Sequence, residues 1–192
     1  IARVHRDHAT AMLLQVLGDE IARPMPLGRQ ADHGHRAAGL QDAAQGGYHM
    51  EYGFSCMGYE IAGGIGLKMA QPTREVVVMV GDGSYLMMNS ELATSVMLGV
   101  KLIVVLLDNR GFGCINRLQH AAGGERFNNL YEYNVKQDIP PEIDFAAHAR
   151  AMGAIAVHAK SLAELEQALK ESKSNTRSTV IVIDTDPMIS TD

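Results

Sequence analysis

The residues best suited to chemistry follow two apolar runs of the chain. Val76–Val80 is followed by Gly81–Ser84 (Gly-Asp-Gly-Ser), and Lys101–Leu107 is followed by Asp108–Gly111 (Asp-Asn-Arg-Gly). Both runs are short and rich in Val, Ile and Leu, which is typical of strands that are covered on both faces of a parallel sheet. Because ligands bind at the carboxyl ends of such strands, we expect the two polar turns to line one crevice.

The groups on these turns suit a divalent cation that carries a phosphorylated ligand. Asp82 offers a carboxylate and Asn109 an amide oxygen, and Mg2+ uses one or two carboxylates together with phosphate oxygens, carbonyls and water. Gly81 and Gly83 would permit backbone angles closed to other residues and a close approach of the ligand. Ser84 would stand where a helix begins, facing the phosphate. The alternative is a tight strand-to-helix turn in which Asp82 is a cap, but the second polar turn favours the cation site.

Alternating strand-like and helix-like segments must position these turns. Apolar spacing predicts strands at Val76–Val80, Leu102–Leu107, Ile155–Ala159 and Thr179–Asp184, and helices at Asp7–Glu20, Gly58–Ala70, Ser90–Leu98, Asp144–Met152 and Leu162–Glu171, the last capped by Ser161. Polar composition predicts loops at Arg23–Gly47 and Asn116–Pro141, the second a lid or a disordered stretch. The alternation predicts an α/β fold, with a parallel sheet and helices on both faces.

Composition favours one globular domain and argues against two classes of partner. The chain has 192 residues and a net charge of −5, with Lys and Arg scattered, so we expect no nucleic-acid partner. No apolar run approaches the roughly 20 residues that span a bilayer, so we expect no membrane segment. Cys56 and Cys114 are predicted to be reduced thiols in a cytoplasmic protein. The spacing of Asp32–His35 fits no common zinc pattern.

The two polar turns resemble the signature of thiamine diphosphate-dependent enzymes, Gly-Asp-Gly, then a spacer in the twenties and Asn-Asn. Here the spacer is 24 residues long, and Asp108 replaces the first Asn of the pair. The resemblance implies Mg2+ held by Asp82, Asn109 and the backbone carbonyl of Gly111. It also implies bound thiamine diphosphate in the pyrophosphate-type domain of the thiamine diphosphate-binding fold. Asp108 would not be a ligand, so this departure leaves the assignment intact.

A second segment, Tyr52–Ala70, resembles the part of this family in which a bulky apolar residue wedges the cofactor into a bent shape. Met57 would be that wedge, and the carbonyl of Ser55 would accept a hydrogen bond from the aminopyrimidine. The alternative for Met57 is a flexible filler of the core. His49 and His120 could face the thiazolium side. The resemblance implies cofactor contacts at Ser55, Cys56, Met57, Gly81, Gly83, Ser84, Gly111 and Phe112.

Longer strings resemble one branch of the family, the trihydroxycyclohexane-dione hydrolases of myo-inositol breakdown. Among them are Gly46–Gly64 and Lys101–Gln119. The resemblance implies a hydrolase that opens a cyclic diketone by C–C cleavage with water, on a small-molecule substrate. Two alternatives stay open: the chain of another thiamine diphosphate enzyme (a 2-oxoacid decarboxylase or an acetolactate synthase-like carboligase), and a non-catalytic assembly module.

The resemblance covers residues 46–192, whereas residues 1–45 are predicted to be an N-terminal helix followed by a linker-like segment. In the family, the catalytic glutamate lies in a separate pyrimidine-binding domain, and we find no segment of this kind here. We therefore expect the catalytic glutamate to come from outside these residues, from a pyrimidine-binding domain or a second copy in a homo-oligomer. The chain alone is expected to bind cofactor poorly and to be inactive.

Overall fold

The computed structural model describes residues 49, 54, 56–134 and 142–187. The predicted helix Asp7–Glu20 and the loop Arg23–Gly47 lie outside these residues. The described elements are, in chain order, α1 (Tyr59–Ala70), β1 (Val77–Gly81), α2 (Asp82–Met88), α3 (Ser90–Met97), β2 (Ile103–Asp108), α4 (Gly113–Ala121), α5 (Tyr131–Asn134), α6 (Phe145–Ala151), β3 (Ile155–Ala159), α7 (Leu162–Ser174) and β4 (Thr179–Asp184).

The four described strands form one parallel sheet in the order β1-β2-β4-β3. In the register, Gly81 lies opposite Leu107 and Asp108 lies opposite Asp184, so the polar residues that follow the strands share one edge. The two inner strands, β2 and β4, are buried at every position except the last. This confirms the predicted α/β class and the strands that the apolar runs indicated.

Helices cover both faces of the sheet, as predicted. Alternate side chains of β2 and β4 point into two separate apolar clusters, because successive strand residues face opposite sides. The first cluster joins the sheet to residues of α1, α2, α3 and α6, and the second joins it to α7. Representative members are Ile61, Tyr85, Leu92, Leu106 and Phe145 in the first cluster, and Val105, Leu165, Leu169 and Ile181 in the second.

Local hydrogen bonds confirm two of the predicted helix starts. The Asp144 side chain accepts a hydrogen bond from the Ala147 N–H at 2.8 Å, and Ser161 accepts one from Glu164 at 3.2 Å. Each side chain satisfies an N–H group that the first helical turn leaves without a backbone partner. No helix in the described ranges has the length and apolarity needed to cross a membrane.

The prediction of one long loop over Asn116–Pro141 is wrong for its described part, residues 116–134. This part holds most of α4 and all of α5. Helix α4 escaped the periodicity argument because its apolar side chains Ile115 and Leu118 are 41% and 61% exposed and form no buried stripe.

Candidate functional site

Asp82 lies at the centre of the polar edge of the sheet. It is the first residue of α2, directly after β1, and its side chain is completely buried. Its Oδ2 atom accepts a hydrogen bond from the Gly111 N–H at 2.6 Å, and its Oδ1 atom accepts one from the Asn109 N–H at 3.3 Å. The loop that follows β2 therefore wraps around the carboxylate, and the two predicted turns do form one site.

Burial and a neighbouring negative charge act on this carboxyl group. The pKa of Asp82 is raised from 3.8 to about 6, chiefly by burial and then by the charge of Asp108, whereas hydrogen bonds from backbone N–H groups, chiefly that of Gly111, lower it. Burial also raises the pKa of Asp108. A cation beside Asp82 would offset both the desolvation and the repulsion, so the electrostatics of the site favour a bound metal ion.

The loop Asp108–Gly111 needs an unusual backbone to reach Asp82. Arg110 has a φ of 62° and Gly111 a φ of 139°, both in the left-handed region. The Asp108 side chain stabilises this turn, because its Oδ1 atom accepts a hydrogen bond from the Arg110 N–H at 2.9 Å. A side chain at Gly111 would be strained, and its Cβ would lie 2.5 Å from the backbone oxygen of Asn129.

The predicted backbone freedom of Gly81 and Gly83 is wrong, because neither residue has a positive φ. Gly81 has an extended φ of −76°, and a Cβ there would meet no atom within 4 Å. A Cβ at Gly83 would lie 2.6 Å from the Phe112 ring and 3.1 Å from the Gly111 carbonyl oxygen. Position 83 therefore needs a residue without a side chain, because the loop packs against it. Position 81 has open space around it, where a ligand could approach.

Ser84 does not stand at the helix start. The cap is Gly81, and the helix begins at Asp82, so that Ser84 is its third residue and is buried. The prediction placed the start two residues too late because it took the Gly-Asp-Gly segment as a turn, whereas Asp82 and Gly83 already belong to α2.

The family described as thiamine pyrophosphate enzyme, C-terminal TPP binding domain, matches residues 32–183 of this chain. The chain belongs to this family. The matched range begins inside the N-terminal segment 1–45, and the boundary at residue 46 stays a prediction. The Gly-Asp-Gly segment and the Asp-Asn segment of this thiamine pyrophosphate domain are the two turns that meet at Asp82.

Two similar curated proteins carry the same name. The chain is 48% identical over 141 residues to the 3D-(3,5/4)-trihydroxycyclohexane-1,2-dione hydrolase of Bacillus thuringiensis (strain Al Hakam), and equally so to that of Bacillus cereus (strain AH820). Each alignment covers 71% of this chain and 22% of the relative. The chain therefore spans only about a fifth of the length of these proteins.

Solved structures show the same fold. Benzoylformate decarboxylase from Polynucleobacter necessarius superposes with a TM-score of 0.73 over 96% of this chain and 34% of that chain. The thiamine diphosphate-dependent 4-hydroxybenzoylformate decarboxylase of Rhodococcus jostii RHA1 superposes with a TM-score of 0.60 over 68% of this chain and 23% of that chain. Both are 21% identical in sequence, so the likeness concerns the fold alone.

The groups around Asp82 are of the kinds that a divalent cation and a diphosphate would use. Asn109 keeps a lone pair for a cation, because its Oδ1 atom accepts one hydrogen bond, from the Gly113 N–H at 3.2 Å, and an amide oxygen carries two lone pairs. The Gly111 carbonyl oxygen lies beside Gly83, and the N–H of the same Gly111 donates to Asp82. No group of three or more His, Cys, Asp or Glu in the described part of the chain could hold a metal by itself. Phosphate oxygens would therefore complete the shell.

The turn that carries Met57 docks against the end of α2. Gly58 has a φ of 93°, and a Cβ there would lie 2.5 Å from Cγ of Met88, so this turn packs closely on the helix that starts at Asp82. Met57 is half-buried and Cys56 is exposed. Ser55 lies outside the described residues, as does the segment Asp32–His35. The wedge role of Met57 stays a prediction.

The histidine and cysteine predictions have mixed outcomes. His49 lies 3.2 Å, through Nε2, from the Tyr59 hydroxyl, and His120 is exposed near the end of α4. Cys56 and Cys114 are both free thiols, as predicted. Cys114 lies on the exposed side of α4 together with Ile115.

Sequence reasoning missed a backbone strap, residues 129–131. The strap holds the loop Asp108–Phe112, which we call the metal-site loop because it carries the proposed metal donors. The Phe112 N–H donates to the Asn129 carbonyl at 2.7 Å, and the Tyr131 N–H donates to the Arg110 carbonyl at 2.9 Å. Asn129 is itself fixed by a hydrogen bond from its side chain to Gln119 of α4. These contacts join backbone groups about 20 residues apart, and no local motif in the sequence signals them.

Proposed function

We propose that the chain binds thiamine diphosphate together with Mg2+ at the Asp82 edge of its sheet. The observation that carries the proposal is the buried Asp82 carboxylate, which the backbone N–H groups of Asn109 and Gly111 hold from the loop that follows β2. Asp82, Asn109 and the Gly111 carbonyl would hold the metal ion. Gly81, Gly83, Ser84 and the start of α2 would lie against the diphosphate.

The chain's own residues would bind and orient the cofactor. Met57 and Cys56 would lie against the middle of the cofactor, and Ser55 would accept a hydrogen bond from the aminopyrimidine. Phe112 would pack between Gly83 and the cofactor. When bound, thiamine diphosphate supplies an electron sink for cleavage of a C–C bond next to a carbonyl. The protein supplies the metal site, the orientation and the exclusion of water.

We further propose that this domain belongs to a hydrolase that opens a cyclic 1,2-diketone, trihydroxycyclohexanedione, in inositol breakdown. The 48% identity to proteins named as that hydrolase supports this substrate class. The two decarboxylase structures support only the fold, since their sequences are 21% identical to this chain. A decarboxylase or carboligase role is therefore the weaker alternative.

Catalysis would require a second domain. The curated relatives are several times longer than this chain, and the match covers 22% of their length. A pyrimidine-binding domain, in the same polypeptide or in a second copy, would supply the catalytic glutamate and close the site as a homo-oligomer.

The free thiols of Cys56 and Cys114 support a reducing compartment such as the cytoplasm.

Calorimetric titration of thiamine diphosphate into the chain tests the binding proposal. We expect weak, Mg2+-dependent heat of binding that excess chelator abolishes, and we expect the Asp82→Ala variant to bind in neither condition. Asp108→Asn is the matched control, because it removes a neighbouring carboxylate that is not a proposed ligand. It should bind at least as tightly as the native chain.

The same titration has a clear negative result. Binding that survives both chelator and Asp82→Ala would refute the metal site.

A turnover assay tests the proposed substrate. The full-length enzyme that contains this domain should release a ring-opened acid from trihydroxycyclohexanedione. Turnover of benzoylformate or pyruvate in place of the dione would favour the decarboxylase alternative.

A further inference from the structure

Tyr131 brings a buried hydroxyl group to the metal site. This hydroxyl is fully buried and makes no hydrogen bond of regular geometry with any described residue. The pKa of Tyr131 is raised chiefly by burial, and then by the charges of Asp82 and Asp108 and by hydrogen bonding toward Asp82. A buried hydroxyl without a well-formed hydrogen bond costs free energy, so its place beside these carboxylates calls for a reason.

The strap fixes the backbone of Tyr131 against the metal-site loop. Its N–H donates to the Arg110 carbonyl at 2.9 Å, and the preceding residue, Leu130, forms an antiparallel bridge with Gly111. The same Gly111 donates its N–H to Asp82. One short backbone unit therefore places the Tyr131 side chain and the amide that holds Asp82.

Asp82 accepts hydrogen bonds on both of its carboxylate oxygens. The N–H groups of Gly111 and Asn109 donate one to each oxygen. The Gly83 N–H also lowers the pKa of Asp82, and hydrogen bonding toward Asp82 raises the pKa of Tyr131. The Tyr131 hydroxyl is therefore a side-chain donor beside a carboxylate that backbone donors already hold.

We propose that Tyr131 is a positioning residue of the metal site, whose hydroxyl donates a hydrogen bond to the Asp82 carboxylate when the metal ion is bound and holds it in its metal-binding orientation. The inference rests on the proposed function of Asp82 as a metal ligand. Hydrogen bonds to ligating carboxylates typically change metal affinity by about 10–100-fold. We expect the lower end for Tyr131, because two backbone amides already hold Asp82.

Terbium luminescence tests this placement in the 192-residue chain. Tb3+ is a hard, oxygen-seeking cation, and it emits strongly when a nearby tyrosine is excited. The chain has no Trp and six Tyr, so tyrosine is its sensitiser. We expect Tb3+ emission from the native chain, and Mg2+ should suppress it by competition. The emission should be absent in Asp82→Ala.

Two matched variants separate a role at the metal from a role in packing. Tyr131→Phe should lose most of the emission and bind competing Mg2+ about tenfold more weakly. Tyr133→Phe removes a second buried hydroxyl from the same helix, beneath Arg126, and should retain both properties. The rise in Tm on adding Mg2+, taken from each variant's own metal-free Tm, should shrink in Tyr131→Phe only.

Each outcome decides a separate point. If Asp82-dependent binding is present but Tyr131→Phe leaves Mg2+ affinity unchanged, the positioning role is refuted and the metal site stands. If the two tyrosine variants lose affinity equally, the effect belongs to the packing of α5, and the positioning role is again refuted. If the native chain shows no Asp82-dependent binding, the proposed metal site and this inference both fail.

Discussion

Replacing Asp82 by Asn should stabilise the metal-free chain at neutral pH. The pKa of Asp82 rises from 3.8 to about 6 on folding, chiefly because the carboxyl group is buried. The folded state therefore binds this proton more tightly than the unfolded state does. The contribution of Asp82 to the free energy of unfolding is highest below pH 4. It falls as the pH rises through the window from about 4 to about 6, and it stays lowered above that window. An Asn at this position carries no charge and escapes this pH-dependent loss. Its NH2 group cannot accept one of the two backbone hydrogen bonds, which subtracts a pH-independent amount from the gain.

The size of the effect follows from the two pKa values. A tenfold change in proton affinity corresponds to about 1.4 kcal/mol, so the rise in pKa corresponds to about 3 kcal/mol at pH 7–8 as an upper value. Below pH 4 the two proteins should differ little, because Asp82 is protonated in both states. Asp108 titrates in both proteins, so the difference between them reports Asp82 together with its repulsion from Asp108.

Urea unfolding at a series of pH values from 4 to 8, with chelator present, measures this difference. We expect the stability of Asp82→Asn relative to the native chain to grow with pH and to level off above about pH 6. Mg2+ should then stabilise the native chain and not the variant, since metal binding requires the ionised carboxylate. A difference that does not vary with pH, or a native chain that is the more stable at pH 8 without metal, would contradict the argument.

Three further predictions concern the framework of the site. Gly111→Ala should lose roughly 2–4 kcal/mol in urea unfolding, because of its positive φ and the crowding by the strap, whereas Gly81→Ala should stay within about 1 kcal/mol of the native chain; equal losses would contradict the assignment of backbone strain. Tyr85→Phe should cost about 1 kcal/mol, since it removes the 2.8 Å hydrogen bond to His148, and an unchanged Tm would show that this bond adds nothing. Ser161→Ala should cost about 1 kcal/mol and reduce helicity measured by circular dichroism, unless the cap of α7 is dispensable.

The sequence predicted the parts of the site that depend on sheet geometry. Parallel strands deliver their following residues to one edge, so the apolar runs before Asp82 and Asn109 were enough to bring these residues together. The same reasoning placed Gly111 in the second turn, and the family resemblance added the role of its carbonyl. The structure confirms that all three lie in one place.

The parts that sequence reasoning missed depend on contacts between distant backbone groups. The strap binds the loop through its main chain, so the letters Asn129–Tyr131 carry no pattern that reveals it. The assignment of glycine roles failed for a similar reason. Whether a glycine takes a left-handed backbone depends on what surrounds it, and Gly111 does so whereas Gly81 and Gly83 do not.

The pairing of β1 with β2 determines how far apart the donors of the proposed metal site lie. Gly81 lies opposite Leu107, so the carboxylate and amide donors leave neighbouring strands at the same level. A shift of one residue in this pairing would displace them by about 3.3 Å, more than the whole Mg2+–oxygen distance of about 2.1 Å. The alternating burial of β1 opposes such a shift, since it would turn Val78 and Val80 out of the core. The buried side chains of β1 thus set the spacing of the proposed metal donors.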